Sequence, residues 1–299
     1  MTWEELFAKW AKPPSQTEQD KCENALEQLK KAIDGSKALA THTVSVFAQG
    51  SYRNRTNVRE DSDVDVCVLC TDVCFTDYSM SNDLTQASVG LVDSSYTYVQ
   101  FKNEVEEALV SRFGRSIVSR GNKAFDIHES ELRIDADVVA CFEHRRYMKR
   151  ADGSFYYNTG TELRPDNGGQ IINWPEQNYE NGVTKNKRTN HNFKAGVRIL
   201  KCLRNLMDEK SISSAKPISS YLLECLIWNV PDSSFATSTY RDMVQNILAH
   251  LYNKTMDDEQ CKEWGEINEL KYLFRLRQPW TRDQTHTFLG DAWNFANYN

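Results

Sequence analysis

Residues 49–66 read QGSYRNRTNVREDSDVDV, and this stretch decides the fold. The run before it, THTVSVFAQ (41–49), has the β-branched alternation of a strand. That strand breaks at Gly50-Ser51, and a second one begins at Asp63 and continues through VDVCVLC (64–70). Side chains alternate faces along a strand, so Asp63 and Asp65 share one side while Val64, Val66 and Val68 take the other. Two carboxylates side by side repel each other and need a compensating cation. Mg²⁺ fits that need, being a hard ion that prefers carboxylate and phosphate oxygen. Gly50 permits close backbone approach to a phosphate, and Ser51 can donate a hydrogen bond to it.

A second acidic strand is predicted in ELRIDADVVACF (131–142), where Asp135 and Asp137 share a face. If it lies beside the first, one of the two joins Asp63 and Asp65. Three carboxylates suit a two-metal phosphoryl or nucleotidyl transfer, in which one ion activates a hydroxyl and the other steadies the leaving group. An isolated Asp-x-Asp pair is usually a solvated strand end. Here the upstream Gly-Ser break and the downstream acidic strand argue for chemistry.

Outward from this centre, the periodicity predicts a helix over 17–33 and another over 98–113 between the second and third strands. Asp152-Gly153 reads as a turn after the basic run RRYMKR (145–150), itself read as a solvated strand face. From Pro175 onward the period is helical, over 193–207, 218–230, 240–252 and 288–295, with Pro175, Pro217, Pro231 and Pro279 near boundaries. The expected fold class is α+β: a sheet lobe over 1–174, N-terminal helix included, a helical lobe over 175–299, and an active site in the cleft between.

The 299 residues carry 36 Lys+Arg and 42 Asp+Glu, a net charge of -6 that argues against a protein built to grip long duplex DNA. No apolar run reaches the roughly 18–20 residues of a membrane helix, and the N-terminus lacks a signal peptide's apolar stretch. A cytoplasmic protein with no membrane partner is expected. Of eight cysteines only Cys67, Cys70 and Cys74 lie close in sequence, and they read as buried thiols rather than a metal site. Between Glu180 and Asp208 stand seven Lys/Arg and no acidic residue. Lys194, Arg198 and Lys201 fall on one helical face, predicted to meet a triphosphate, while 185–188 reads as a solvated loop. Tyr52, Tyr157, Trp174 and Tyr179 are candidate stacking aromatics that the sequence does not rank.

Gly-Ser, eleven residues, Asp-x-Asp and a later strand Asp resemble the polymerase-β-like nucleotidyltransferase superfamily. The blocks QGSYRNRTNVREDSDVDV, IDADVVACF, WPEQNYENGVTKNKRTN…FKAGVRILKCLRN and PISSYLLECLIW, together spanning about 49–228, are similar to the bacterial cGAS/DncV-like nucleotidyltransferases, the CD-NTases. The resemblance implies that Asp63, Asp65 and Asp137 are the catalytic, metal-binding aspartates. Asp137 is preferred because Asp-Val-Val matches the family's third-carboxylate strand, with Ala140 where Pro is common. It also implies that Lys201 and Ser220 join Gly50 and Ser51 as contacts to the nucleotide's phosphates. The zinc-binding insertion of the animal relatives has no counterpart in the sequence. The expected activity is synthesis of a cyclic di- or oligonucleotide second messenger from NTPs, with two Mg²⁺ ions or Mn²⁺ in their place. Its expected setting is bacterial antiphage signalling, where an effector binds the product rather than this protein. The alternatives are nucleotide transfer to an RNA 3′ end, a protein or a small molecule, and a catalytically silent nucleotide sensor.

Overall fold

The computed structural model describes residues 1–58, 64–128, 135–275 and 278–298. The chain divides into two compact units. One is Ser15–Arg53 with Ser62–Pro175; the other is Met1–Pro14, Asn54–Asp61 and Glu176–Asn299. The helices are α1 (Trp3–Trp10), α2 (Gln16–Asp34), α3 (Gly50–Asn54), α4 (Tyr98–Phe113), α5 (Pro175–Arg188), α6 (Asn192–Glu209), α7 (Ser220–Trp228), α8 (Tyr240–Thr255), α9 (Asp258–Cys261) and α10 (Arg282–Phe295). Several begin at side chains that satisfy the first-turn amides. Thr2, Ser15, Thr97 and Thr281 each form a capping box with a Glu or Gln three residues on. Pro175 opens α5, where its missing N–H has no helical partner to lose. No helix among the described residues is long and apolar enough to cross a membrane.

The first unit is built on one mixed sheet. Its strands are β1 (Val44–Ala48), β2 (Val64–Asp77), β3 (Val118–Arg120), β4 (Phe125–Ile127), β5 (Ala136–Lys149), β6 (Phe155–Leu163) and β7 (Ile171–Asn173). The order is β1-β2-β5-β4-β3, with β6 pairing β5 and β7 pairing β6. Among the described strands only β2 and β5 run parallel, and α4 lies in the connection between them, as a parallel pair requires. Leu29 and Ile33 of α2 and Phe101, Val105 and Leu109 of α4 share one core with Val66, Val68, Val138 and Phe142. That fixes which face of β2 and β5 is apolar and leaves the odd-numbered residues Asp65 and Asp137 on the other.

The second unit is helical. Phe7 of α1 is buried in one cluster with Ile199 and Leu203 of α6, Leu222 and Leu226 of α7, Val244 and Leu248 of α8, and Phe288 of α10. The sequence reading placed residues 1–14 with the sheet lobe. They group instead with the helices, because the apolar face of α1 has its partners there. The three predicted strands and the 98–113 helix are present. The short β3, β4 and β7 carry too few residues to show a period, and α5 stands where a basic loop was expected.

Gly160 on β6 shows how tightly the sheet unit is closed. A methyl group there would lie 2.6 Å from the Asn173 carbonyl oxygen and 2.8 Å from the ring of Trp174. Trp174 is itself buried, with the Arg146 guanidinium 4.8 Å over its ring and the His144 ring edge-on at 5.3 Å. Backbone on one side and a pinned indole on the other cannot give way. Gly160→Ala is expected to destabilise the protein by about 2–3 kcal/mol, read as a lower urea midpoint at unchanged m-value.

Candidate active site

In the sheet unit, the site begins where β1 ends. The Gln49 amide donates to the Asp65 carbonyl at 2.8 Å, closing the β1–β2 pair just before the chain turns into α3. Gly50 makes that turn at φ +63°, in the left-handed region that favours glycine. Proximity adds a second demand. A Cβ at Gly50 would sit 2.0 Å from Asp65 Oδ2 and 2.8 Å from its Cγ. Glycine at 50 therefore lets the backbone lie directly against the Asp65 carboxylate, with Ser51 next along.

Asp65 pairs in register with Asp137 across the parallel β2–β5 ladder. Adjacent strands lie about 4.8 Å apart, and paired residues project to the same face. The two half-buried carboxylates thus stand side by side. Of the two aspartates the sequence left open in the second acidic strand, Asp137 is the one brought to Asp65. Asp135 precedes β5, and its carbonyl accepts from the Val64 amide at 3.0 Å. Asp63 lies outside the described residues. One further carboxylate was not anticipated: Asp126 on β4 pairs with Asp137 from the opposite side. It continues the row Asp65–Asp137–Asp126 across three strands. Its signal was Phe125-Asp126-Ile127, an alternation of buried, exposed and buried residues too short to read alone.

This row has the chemistry of a hard-cation site. Its donors are carboxylate oxygens brought close by backbone pairing, so their repulsion is built in and a divalent ion relieves it. The approach of Gly50 to Asp65 also leaves room for backbone beside whatever the carboxylate holds. The residues present therefore fit a divalent metal bound to oxygen and phosphate.

The helical unit places the basic residues differently from the expectation. Lys194, Arg198 and Lys201 do share one stripe of α6, but all three are buried, Lys201 to 1% exposure. Lys201 Nζ donates to Glu224 Oε1 at 2.6 Å and to the Thr56 carbonyl at 3.0 Å, and the Thr56 hydroxyl donates to the same Glu224 oxygen at 2.6 Å. Arg198 donates to the carbonyls of Ala11, at 2.9 Å from Nε, and of Arg55, at 2.7 Å from Nη1. Burial pushes the Lys194 ammonium down to about 8 and the Arg198 guanidinium down to about 10. Their stripe is buried because the segment 54–58 and the end of α1 offer it backbone carbonyls.

Ser220 is the first residue of α7, and its hydroxyl accepts from Arg204 Nη2 at 2.9 Å. The neighbouring Ser219 is the helix cap, its oxygen accepting the Leu222 amide at 3.1 Å. Lys185, expected on a solvated loop, is buried within α5 and donates to the carbonyls of Trp228 and Val230 at 2.7 and 2.6 Å. Those carbonyls lie at the end of α7 and just beyond it, where a helix leaves acceptors unpaired. Arg145 and Arg146 are likewise half-buried rather than on a solvated face: Arg145 stacks 5.0 Å from the Tyr157 ring, and Arg146 pairs with Asp77 at 2.9 Å. Trp174 is enclosed and so presents no platform, whereas Tyr157 is 41% exposed.

Removing Glu224 would leave the Lys201 ammonium buried with carbonyl partners alone. Glu224→Ala is expected to cost about 3–5 kcal/mol in urea unfolding, and Lys201→Met in the same chain to recover most of it. If the double variant were no more stable than Glu224→Ala, the pair would not be coupled.

The region 180–297 matches the family of the cGAS/DncV-like nucleotidyltransferase C-terminal helical domain. Over 297 residues the chain is 48% identical to a cyclic dipyrimidine nucleotide synthase, CdnE, of Legionella pneumophila, covering 99% of each chain. A CdnE of Cecembia lonarensis with the same description is 36% identical over 296 residues, covering 99% of this chain and 98% of the relative. Among solved structures, the c-UMP-AMP synthase CdnE of Rhodothermus marinus, with Apcpp and Upnpp, superposes with a TM-score of 0.84 at 29% identity, covering 99% of this chain and 97% of that one.

Proposed function

The chain belongs to the cGAS/DncV-like nucleotidyltransferases, and from that premise we propose that it joins two pyrimidine nucleoside triphosphates into a cyclic dinucleotide. The observation that carries this reading is the in-register Asp65–Asp137 pair with Gly50 against the first carboxylate. The pyrimidine preference is supported by the description of the Legionella relative, to which this chain is similar along its whole length.

In the first step the 3′-hydroxyl of one nucleotide attacks the α-phosphorus of the other. The bond from that phosphorus to pyrophosphate breaks as the phosphodiester forms, and the hydroxyl proton is released. The linear intermediate then repeats the step on its own remaining triphosphate, closing the ring and releasing a second pyrophosphate. Asp63, Asp65 and Asp137 would hold two Mg²⁺ ions, or Mn²⁺ in their place, which activate the hydroxyl and stabilise charge on the α-phosphate and the leaving pyrophosphate. The protein's own part is placement. The β2–β5 register holds Asp65 and Asp137 at one level, so one phosphate group can face both. Gly50 and Ser51 bring backbone and a hydroxyl to the phosphates from the end of β1. Lys201, with Arg198, holds the carbonyls of residues 55–56 on the path from α3 to β2, a positioning role that follows from its burial. Ser220, bonded to Arg204, is the polar residue that α7 contributes to phosphate binding.

The wider setting follows the family resemblance. The product acts as a second messenger in antiphage signalling within the cytoplasm and is read by an effector. The net charge of -6 and the interior placement of the α6 cations argue against activation by duplex DNA.

Incubation with α-labelled NTPs, singly and in pairs with Mg²⁺, tests the reading. A phosphatase-resistant cyclic product is expected from UTP, CTP or both, with none from ATP and GTP alone. Asp65→Ala together with Asp137→Ala should lower its formation about a hundredfold or more. Gly50→Ala should do the same and also lower the melting temperature by about 2–4 °C, since alanine is strained at φ +63° and its methyl meets the Asp65 carboxylate. Label appearing only on an RNA, protein or small-molecule acceptor would refute cyclic synthesis.

A further inference from the structure

Cys70 lies outside the carboxylate row, and its nearest cysteines in the sequence are Cys67 and Cys74. The fold gives it different neighbours. Between Cys70 and Cys74 the β2–β5 register shifts, and the irregularity turns Asp72 out of the ladder. The Asp72 carboxylate then reaches the start of β1, accepting the Thr43 amide at 2.9 Å and lying 3.1 Å from His42 Nδ1. A ring nitrogen of His42, Cys70 Sγ and an Asp72 carboxylate oxygen all lie within 4.8 Å of one another. We propose that His42, Cys70 and Asp72 form a zinc site, separate from the catalytic carboxylates and with its fourth position open to water.

The donor set is the first argument. Imidazole nitrogen, thiolate sulfur and carboxylate oxygen together suit Zn²⁺, whereas a sulfur ligand disfavours Mg²⁺. Tetrahedral zinc, with bonds of about 2.0–2.3 Å, sets its ligand atoms about 3.3–3.6 Å apart. The observed 3.1 Å between His42 and Asp72 is close to that, and the 4.8 Å limit leaves Cys70 a short closure to make. Thiolate and carboxylate together neutralise the ion, and coordination releases the Cys70 proton to solvent.

The surroundings are the second argument. Burial pushes the Cys70 thiol up, and the backbone N–H groups of Asp72 and Val73 draw it partly back. The Thr43 amide orients the Asp72 carboxylate. The His42 imidazole lies flat on Tyr96, ring centroids 3.8 Å apart at 13°, and the Tyr96 hydroxyl donates to Glu104. Each ligand is thus held by a second group, the outer-shell arrangement of a metal site. Cys70 is buried, while the His42 and Asp72 side chains keep 22% and 35% exposure, so an ion and a water have a route in. Cys70 lies five residues along β2 from Asp65, about 16–17 Å at strand rise, too far to share an ion with it.

The test is Co²⁺ titration of the full chain after chelator treatment. One equivalent is expected to bind with a thiolate-to-cobalt charge-transfer band, and Zn²⁺ should displace it and raise the melting temperature. The Asp65→Asn/Asp137→Asn chain should keep the band. Cys70→Ser should abolish it, and His42→Gln and Asp72→Asn, both at accessible positions, should each weaken binding about tenfold or more. A wild-type chain without the band would overturn the proposal. So would a band of unchanged affinity in both His42→Gln and Asp72→Asn, which would put the metal on another thiol.

Discussion

Two carboxylates facing each other across a pair of parallel strands are the constraint from which the sheet unit is organised. Backbone pairing of β2 with β5 sets Asp65 beside Asp137, two like charges that repel each other. The arrangement holds because the opposite face is well packed. Val66, Val68, Val138 and Phe142 lie fully or almost fully buried with α2 and α4, so a one-residue slip would turn that apolar set outward. Apolar burial on one side thus enforces an unfavourable charge arrangement on the other, the kind of donor pair that suits a divalent cation. Gly50 belongs to the same constraint, since only a residue without Cβ lets the turn after β1 pass Asp65 at this distance.

The helical unit solves a different electrostatic problem. Lys185, Lys194, Arg198 and Lys201 give it an interior far more basic than a helical core usually is. An ammonium or guanidinium can stay buried only with acceptors on several of its protons. Here most acceptors are backbone carbonyls at ends of elements: those of Ala11 after α1, Arg55 and Thr56 after α3, and Trp228 and Val230 at and beyond the end of α7. These carbonyls have no helical partner of their own, so Lys185, Arg198 and Lys201 each satisfy an orphan while being satisfied. Arg55 takes a left-handed conformation at φ 55° within this set, a strained geometry for a side-chain-bearing residue that Arg198 helps to hold.

How much of this was legible depends on whether a property is local. The face shared by Val64, Val66 and Val68 and the extent of α4 follow from period, and both were read from a few residues. The choice of Asp137 over Asp135 rested on resemblance, because which residue meets Asp65 depends on register between strands about 70 residues apart. Asp126 was invisible for the same reason. The burial of Lys201 was not legible, because the helical period gives the face of a side chain but not what covers that face. The covering here comes from residues 54–58, nearly 150 positions earlier in the chain.

β2 carries both chemistries of the sheet unit, and its geometry keeps them apart. Near its start the ladder is regular, neighbouring strands add like side chains in register, and the result is a row of oxygen donors suited to hard ions and phosphate. Further along, the shift between Cys70 and Cys74 breaks that repetition. A bulge re-aims side chains, so donors of unlike chemistry meet there: a thiol from the strand, a carboxylate from the bulge and an imidazole from the approach to β1. A regular ladder repeats one chemistry, whereas a defect mixes several. Selectivity between hard and borderline metals on one strand then needs no separate domain, only one irregular register a few residues beyond Asp65.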